Sequence, residues 1–378
     1  MPPVLRIAID LRPLALGPLT GVGLVVRQIL EELPLRGCGF VGVSDRPVPG
    51  LPMDLPVMVA PGRGRIRWET RVLPGLLRRI HPPPDLYHAT WNHGIPRGLP
   101  FPSVVTIHDL IPWMLPRAVP WPSPAWLHRL LYRRAVRAAA RAAAVVVTVS
   151  ETSRRDIAER IPEAAGRSVV VPNALPRWFA PAPGSGGAFR ERFGGRPYWL
   201  YLGGFDPRKG IDTLLEAMSR LPAGRTPLPD LVLAGALNDH ARACEADARR
   251  RGLRVHFPGY VADSDLAALF AGASLFVYPS LYEGFGIPVL FAMAAGVPCV
   301  VSLGGSLPEV AAEAGLAFPA GDAASLAVLL ERAVREPESF QPIADRGPGR
   351  ARLFSVDALA ERMIRVYERA AGRRAGSA

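Results

Sequence analysis

The sequence predicts an α/β protein of two Rossmann-like domains, each a doubly wound parallel sheet, facing one another across a cleft. Three observations predict it. At 378 residues the chain is too long for one ordinary core and suits two domains of about 150–200 residues. Short apolar runs alternate with helical patterns over most of the length, the rhythm of parallel strands joined by crossover helices. Between two such series lies Pro172–Pro197, rich in Pro, Gly and Ala, which reads as an interdomain linker.

The first series predicts strands at Leu5–Asp10, Val57–Ala60, Asp85–His88, Ser103–Ile107, Val145–Val149 and Ser168–Val171. The second predicts Tyr198–Leu202, Leu231–Ala234, Arg254–Phe257, Leu275–Tyr278, Cys299–Ser302 and Leu316–Phe318. Val356, Leu359, Met363, Val366 and Tyr367 recur at helical spacing and predict a closing helix over Ser355–Arg369. The resulting division is 1–175, a linker at 176–197, 198–354, and a closing helix and tail at 355–378.

With 49% hydrophobic and 21% charged residues, the composition is that of an ordinary globular protein. Met1–Arg6 lacks a secretory pattern. Cys38, Cys244 and Cys299 are far apart and form no zinc motif or disulfide framework, so a reducing cytoplasm is the expectation. Gly284–Pro308 holds no charge. Pro288, Gly296 and Pro298 divide it into a short helix and a strand, whereas a membrane span needs about 20 continuous apolar residues.

The net charge of +12 is uneven. Residues 1–176 hold 22 arginines and 12 acids, while 177–378 hold 22 arginines, the single lysine and 21 acids. A basic first half points to phosphorylated substrates, anionic lipid or nucleic acid. No nucleic-acid-binding motif accompanies it, so no nucleic-acid partner is expected.

Four segments carry candidate chemistry. In YPSLYEGFGIPVLFAMAAGVPCVVS (Tyr278–Ser302), a strand leads through a glycine loop to a helix that Pro288 suits at its first turn. Such a helix start favours an anion, and Glu283 beside it can accept hydrogen bonds from sugar hydroxyls. A plain strand–turn–helix connection is the alternative. In YLGGFDPRKGI (Tyr201–Ile211), Arg208 and Lys209 open a helix after a glycine-rich strand end. In a chain that uses arginine for nearly every cation, the lone lysine reads as a compact phosphate-binding charge, against a simple surface lysine. In VVTIHDL (Val104–Leu110), His108 and Asp109 stand just past a strand end, where polar residues face the crevice of open α/β sheets; a structural histidine is the other reading. In IAIDLRPLALGPLTGVG (Ile7–Gly23), Gly21 and Gly23 precede or open a helix. They would cradle phosphate or acceptor, or form a turn, and lack the dinucleotide-binding spacing.

Together these segments resemble glycosyltransferase family 4, of the two-domain GT-B fold. VVTIHDLIP, VTVSETSRRDI, VVPNAL, YLGGFDPRKGIDTLLEA, FPGYVADSDLAALFAGASLFVYPS and EGFGIPVLFAMAAGVP occur in the family's order. The resemblance implies a retaining hexosyltransferase using a nucleoside-diphosphate sugar, with no cofactor and no metal. It implies an acceptor-side N-terminal domain and a donor-binding C-terminal one. Glu283 and His108 would contact the donor sugar, and Arg208 and Lys209 would neutralise the diphosphate. Gly284, Phe285, Gly286 and Ile287 would line sugar and diphosphate, and Val261 would lie near the base. Two positions depart from the pattern. Phe291 stands where a second glutamate usually binds ribose, and Gly204 where an arginine often follows the strand. The GGFDPRK form resembles bacterial mannosyltransferases, which favours GDP-mannose.

Ser123–Ala142 reads as a helix with Arg129, Arg133, Arg137 and Arg141 on one face and Arg134 beside them. Trp113, Trp121 and Trp126 precede or open it. A basic face beside tryptophans suits an anionic membrane surface, which implies a peripheral protein on the inner face of the plasma membrane. A solvated charged face is the alternative. A saccharide or lipid-linked acceptor in bacterial surface polysaccharide synthesis follows from the family. The competing functions are a UDP-sugar-dependent transferase, a non-catalytic nucleotide-sugar-binding or scaffold protein, and a sugar-nucleotide epimerase.

Overall fold

The computed structural model describes residues 5–15, 21–62, 64–116, 122, 124–182, 184–222 and 228–372. The chain divides into two compact units. The first comprises Met1–Met114, Trp121–Ala174 and Val356–Ala378, and the second Leu115–Pro120 and Leu175–Ser355.

The first unit holds a seven-stranded sheet of β1 (Leu5–Asp10), β2 (Cys38–Ser44), β3 (Val57–Val59), β4 (Leu86–Ala89), β5 (Ser103–Thr106), β6 (Val145–Thr148) and β7 (Ser168–Val170). Their order is β3-β2-β1-β4-β5-β6-β7, with every recorded pairing parallel. The central strands, buried on both faces, are near-continuous apolar runs. β4, β5 and β6 are buried at every residue. The chain winds outward from β1 in both directions, so the reversal in strand order lies between β1 and β4.

β2 is the strand that the apolar pattern does not announce. Its sequence, CGFVGVS, breaks the β-branched run with two glycines, which ordinarily weaken a strand. Gly42 explains one of them: a Cβ there would overlap the Leu11 side chain. Close packing against the turn after β1 requires the residue that hides the strand.

The second unit holds β8 (Tyr198–Leu202), β9 (Asp230–Ala234), β10 (Val255–Gly259), β11 (Leu275–Tyr278), β12 (Cys299–Ser302) and β13 (Gly315–Phe318). They are ordered β10-β9-β8-β11-β12-β13 and again parallel. Here the reversal falls between β8 and β11.

Two segments sit otherwise than composition suggests. Residues 176–197 belong to the second unit and form the helix Gly187–Arg192 within it. Its Phe189 and the Phe193 that caps it are buried side chains, and a Cβ on Gly186 would strike the backbone of Gly272. The helix Val356–Ala370 belongs to the first unit, although it follows the whole second series. Its Val356, Leu359, Met363, Val366 and Tyr367 join Leu5, Ile7, Val104 and Val145 in one core. Tyr367 ends in a buried polar chain: its hydroxyl lies 2.8 Å from His88 Nδ1, and His88 Nε2 lies 2.8 Å from Thr106 Oγ1.

The uncharged stretch from Gly284 resolves into the helix Ile287–Ala294 and β12. Among the described residues no helix is long and apolar enough to cross a membrane.

Candidate active site

In the second unit the two glycine-rich segments leave the carboxyl ends of β8 and β11, neighbours at the strand-order reversal. That is where open α/β sheets bind ligands. Main-chain contacts hold the segments together. Leu281 N donates to Arg208 O at 2.7 Å. A Cβ on Gly210, whose φ is 68°, would collide with the Pro279 carbonyl. Only glycine lets the loop after β8 lie this close to the loop after β11.

This approach brings Lys209 to Glu283. Lys209 Nζ lies 2.6 Å from Glu283 Oε1 and donates to the Tyr278 hydroxyl at 3.2 Å. Arg208 Nη1 stands 3.3 Å from the same carboxylate oxygen, and its Nε 2.9 Å from Asp206 Oδ1. Burial opposes ionisation of Glu283, but the charges of Lys209 and Arg208 outweigh it and hold the carboxyl below its usual range. Burial likewise opposes the Lys209 charge, and Glu283 outweighs it, holding the ammonium above its ordinary value. The pair is therefore ionised. An ammonium has three donors; among the described residues two are engaged, which leaves one for a further acceptor.

The Glu283 backbone is fixed as firmly. Its N–H donates to Gly304 O at 3.3 Å, and its carbonyl accepts from Ser306 N at 3.0 Å and Ser306 Oγ at 3.1 Å. Gly286, at φ 99°, is the N-cap of Ile287–Ala294 and offers no side chain to the first-turn N–H groups. Phe285 and Ile287 are buried, as are Gly284 and Gly286. Gly204 is exposed and its carbonyl accepts from the Tyr201 hydroxyl at 2.6 Å. Val261 is buried just after β10, beside exposed Tyr260.

Phe291 is buried on the helix that Gly286 caps. Its ring stacks on Phe179 at 4.5 Å between centroids and meets Phe270 and Trp178 at 5.8 and 5.9 Å. The residue in the ribose position of the family pattern is thus packed within an aromatic cluster of the second unit. Phe179 lies 112 residues away, which hides this cluster from a linear reading.

In the first unit, His108 follows β5 and is buried. Its N–H donates to Asn92 Oδ1 at 2.9 Å, and its Nε2 lies 3.0 Å from Thr90 O. A carbonyl can only accept, so Nε2 carries the proton and Nδ1 the lone pair. Burial pushes the imidazole pKa down to about 4. The VTVSETSRRDI segment supports the same turn: Ser150 caps the helix Glu151–Arg160, and Ser153 Oγ donates to His108 O at 3.1 Å. Gly21 and Gly23 form the first turn of the helix Gly21–Glu32.

A polar network that sequence reading missed sits past β1 and β4. Arg12 bonds Asp10 through Nη2 at 2.6 Å and Glu69 through Nη1 at 2.8 Å, and His93 Nδ1 lies 2.9 Å from Glu69 Oε1. All four residues are buried. Its members are too scattered for a motif, the one signal being the Asp-x-Arg after β1.

The arginine face of Ala125–Ala142 is partly committed. Arg133 and Arg137 stack over Trp113 at 5.4 and 5.2 Å, Arg137 donates to Arg160 O at 3.1 Å, and Arg141 pairs with Glu163 at 2.6 Å. Trp126 is 66% exposed. Trp121 and Ser123 lie outside the described residues.

Residues 19–177 match the family description Glycosyltransferase Family 4, and residues 188–349 match Glycosyl transferases group 1. The O-antigen chain mannosyltransferase B of Escherichia coli is 31% identical over 93% of this chain and 96% of its own length. The chain belongs to glycosyltransferase family 4. It is a glycosyltransferase of the GT-B fold. A second relative of the family, the MMP alpha-(1->4)-mannosyltransferase of Mycolicibacterium hassiacum, is 32% identical over 72% of this chain and 66% of its own. Sucrose-phosphate synthase of Thermosynechococcus elongatus superposes with a TM-score of 0.78 at 22% identity, covering 96% of this chain and 98% of that one. HepE of Anabaena, solved with UDP and glucose, superposes with a TM-score of 0.76 at 18% identity, covering 95% and 98%.

Proposed function

We propose that this glycosyltransferase moves mannose from GDP-mannose, with retention, to a saccharide or lipid-linked acceptor in bacterial surface polysaccharide synthesis. The observation that carries the reading is the convergence of Arg208, Lys209 and Glu283 beside the glycine-capped helix Ile287–Ala294. The relatives named as mannosyltransferases support the choice of sugar and pathway.

The chemistry follows from where charge develops. As the bond from the sugar C1 to the diphosphate breaks, negative charge grows on the leaving oxygen. The third Lys209 donor, the Arg208 guanidinium and the helix N-terminus supply positive potential there without reorganising, often the largest catalytic term. These side chains, rather than a divalent ion, would neutralise the diphosphate. Glu283 would hold the sugar hydroxyls while bridged to the phosphate site through Lys209. His108, neutral and accepting at Nδ1, would take a hydrogen bond from another sugar hydroxyl. The acceptor oxygen would bond to C1 on the face the diphosphate leaves, its proton passing to the departing phosphate oxygen. The amphipathic face around Trp126, Arg129 and Arg134 would rest on anionic lipid, near a lipid-linked acceptor.

A thermal-shift panel of GDP, UDP, ADP and their sugars, with release of nucleoside diphosphate followed in parallel, tests the reading. GDP and GDP-mannose should stabilise most, by about 2.7 kcal/mol at a hundredfold excess over Kd. Preference for a UDP-sugar would overturn the donor. Binding of sugar nucleotides with no turnover on any acceptor, and no donor hydrolysis, would favour a non-catalytic binding protein.

A further inference from the structure

Asp212, His240 and Cys244 meet on the second unit, between the helices Ile211–Ser219 and Asp239–Arg250. His240 and Cys244 are four residues apart, so they share a helix face. Asp212 comes from the first turn of the neighbouring helix. His240 Nε2 lies 3.4 Å from Asp212 Oδ2, and Cys244 Sγ lies 3.7 Å from Asp212 Oδ1. All three donor atoms fall within 4.8 Å of one another.

We propose that these three residues form a binding site for a divalent transition metal of the zinc class. Zinc bonds of about 2.0–2.3 Å to nitrogen, oxygen and sulfur place the corners of a tetrahedron roughly 3.3–3.7 Å apart. His240 Nε2 and Cys244 Sγ each stand at such a separation from Asp212, one from each oxygen of its carboxylate, and rotation of that carboxylate with a small closure of the remaining separation completes the face. A thiolate, a carboxylate and a neutral imidazole balance a doubly charged ion. Sulfur and nitrogen donors select zinc-like ions over magnesium or calcium. A second observation points the same way. His240 Nε2 is hidden from solvent and makes no hydrogen bond, so the one ring nitrogen aimed at the cluster is unsatisfied, which packing alone disfavours. The Asp212 side chain is 62% exposed, which gives an ion an entry path and a fourth position for water.

The site has a structural consequence. Asp212 follows Lys209 by three residues, and Asn238, the N-cap of the His240 helix, donates Nδ2 to Phe205 O at 3.0 Å. A metal here would clamp the start of the helix after Lys209 to the helix after β9. It would not touch the diphosphate, and the inference is independent of the proposed donor.

Cobalt titration of the reduced, full-length protein tests it. One equivalent should give visible d–d bands of four-coordinate intensity and a near-ultraviolet thiolate-to-cobalt band, and zinc should abolish both. Cys244→Ser should remove the thiolate band, and Cys299→Ser should keep it. His240→Ala should weaken binding by more than the ~10–100-fold that loss of an outer-shell partner costs. If Cys244→Ser fails to fold by circular dichroism, Asp212→Asn, a change at an exposed carboxylate, should still alter the d–d bands and lower affinity. The proposal fails if cobalt binds only weakly and without a thiolate band. It fails equally if the spectrum survives loss of His240 or Cys244, or if Asp212→Asn leaves it unchanged.

Discussion

Lys209 and Glu283, 74 positions apart in the chain, form an ion pair at 2.6 Å with each side chain only 10% exposed. Read separately, one suits a diphosphate and the other a sugar. Paired and buried, they also hold the loops after β8 and β11 together. Lys209→Met should therefore do two things. Removing one partner of a buried pair costs about 3–5 kcal/mol, and Arg208 at 3.3 Å should keep the loss near the lower end. The kcat/KM should fall by about two to three orders of magnitude, as when one transition-state donor is lost. Adding Glu283→Gln should restore part of the stability and none of the activity. Urea unfolding of the two single variants and the double variant measures the coupling; additive losses would show that the pair does not support the fold.

Phe291 yields an opposite expectation to the one its position suggests. Restoring a carboxylate with Phe291→Glu would not rebuild a ribose site. It would bury a charge among Phe179, Phe270 and Trp178. The melting temperature should drop sharply, by an amount matching several kcal/mol, while Phe291→Leu should cost about 1–2 kcal/mol. Discrimination between ribo and 2′-deoxy nucleoside diphosphate, measured by calorimetry, should be small in the parent and not improve in Phe291→Glu. A gain in ribose preference would return the residue to the site.

The strands and the two glycine loops were legible because each is written locally, in apolar runs, glycines and a helix-starting proline. β1, β8, β11 and β12 fall where the pattern puts them. What local pattern cannot carry is partnership. The Lys209–Glu283 bond, the Arg12 bridge to Glu69 and the stack of Phe179 on Phe291 join residues brought together only by sheet order. β2 was hidden for a different reason, since Gly42 serves close packing and erases the strand signature. The His240–Cys244 spacing was visible, but it needs Asp212 from another helix before it looks like a ligand set.

Acid stability should fall in two windows that open at different pH. In the first unit, burial depresses His108 to about 4 and His88 to about 3, against about 6.5 unfolded. As pH falls below 6.5 the unfolded chain takes up protons that the folded one refuses, so stability declines until each folded pKa is reached. His88→Gln should flatten that decline between about pH 6 and 4. Glu283, held low in the second unit, contributes stability that is present above about pH 4.3 and lost as pH drops through its folded value. Glu283→Gln should change the profile only below that point. Denaturant midpoints across pH 3–8 distinguish the windows, and a His88→Gln profile parallel to the parent would refute the first. Because His108 stays neutral, kcat/KM should show no titration of that residue near neutrality.

The last prediction concerns the helix Ala125–Ala142. Its arginines divide by what they touch. Arg137 and Arg141 are bound to Arg160 O and Glu163, and Arg133 and Arg137 lie over Trp113. Among the described residues Arg129 makes no ion pair and its buried Nε has no hydrogen-bond partner, and Arg134 and Trp126 are exposed. If this face meets anionic lipid, the uncommitted side chains should account for most of the binding. Replacing Arg129 and Arg134 with Gln should weaken association with phosphatidylglycerol vesicles by very roughly 1 kcal/mol per charge. Trp126→Ala should weaken it further through lost burial of the indole. Arg141→Gln should cost less, because its charge is already spent on Glu163. Salt should erode the arginine contribution, since the attraction extends only about a Debye length, and leave the Trp126 contribution largely intact. Turnover of a soluble acceptor should be unchanged throughout. Sedimentation of every variant equal to that of the parent would show that this face looks only into water.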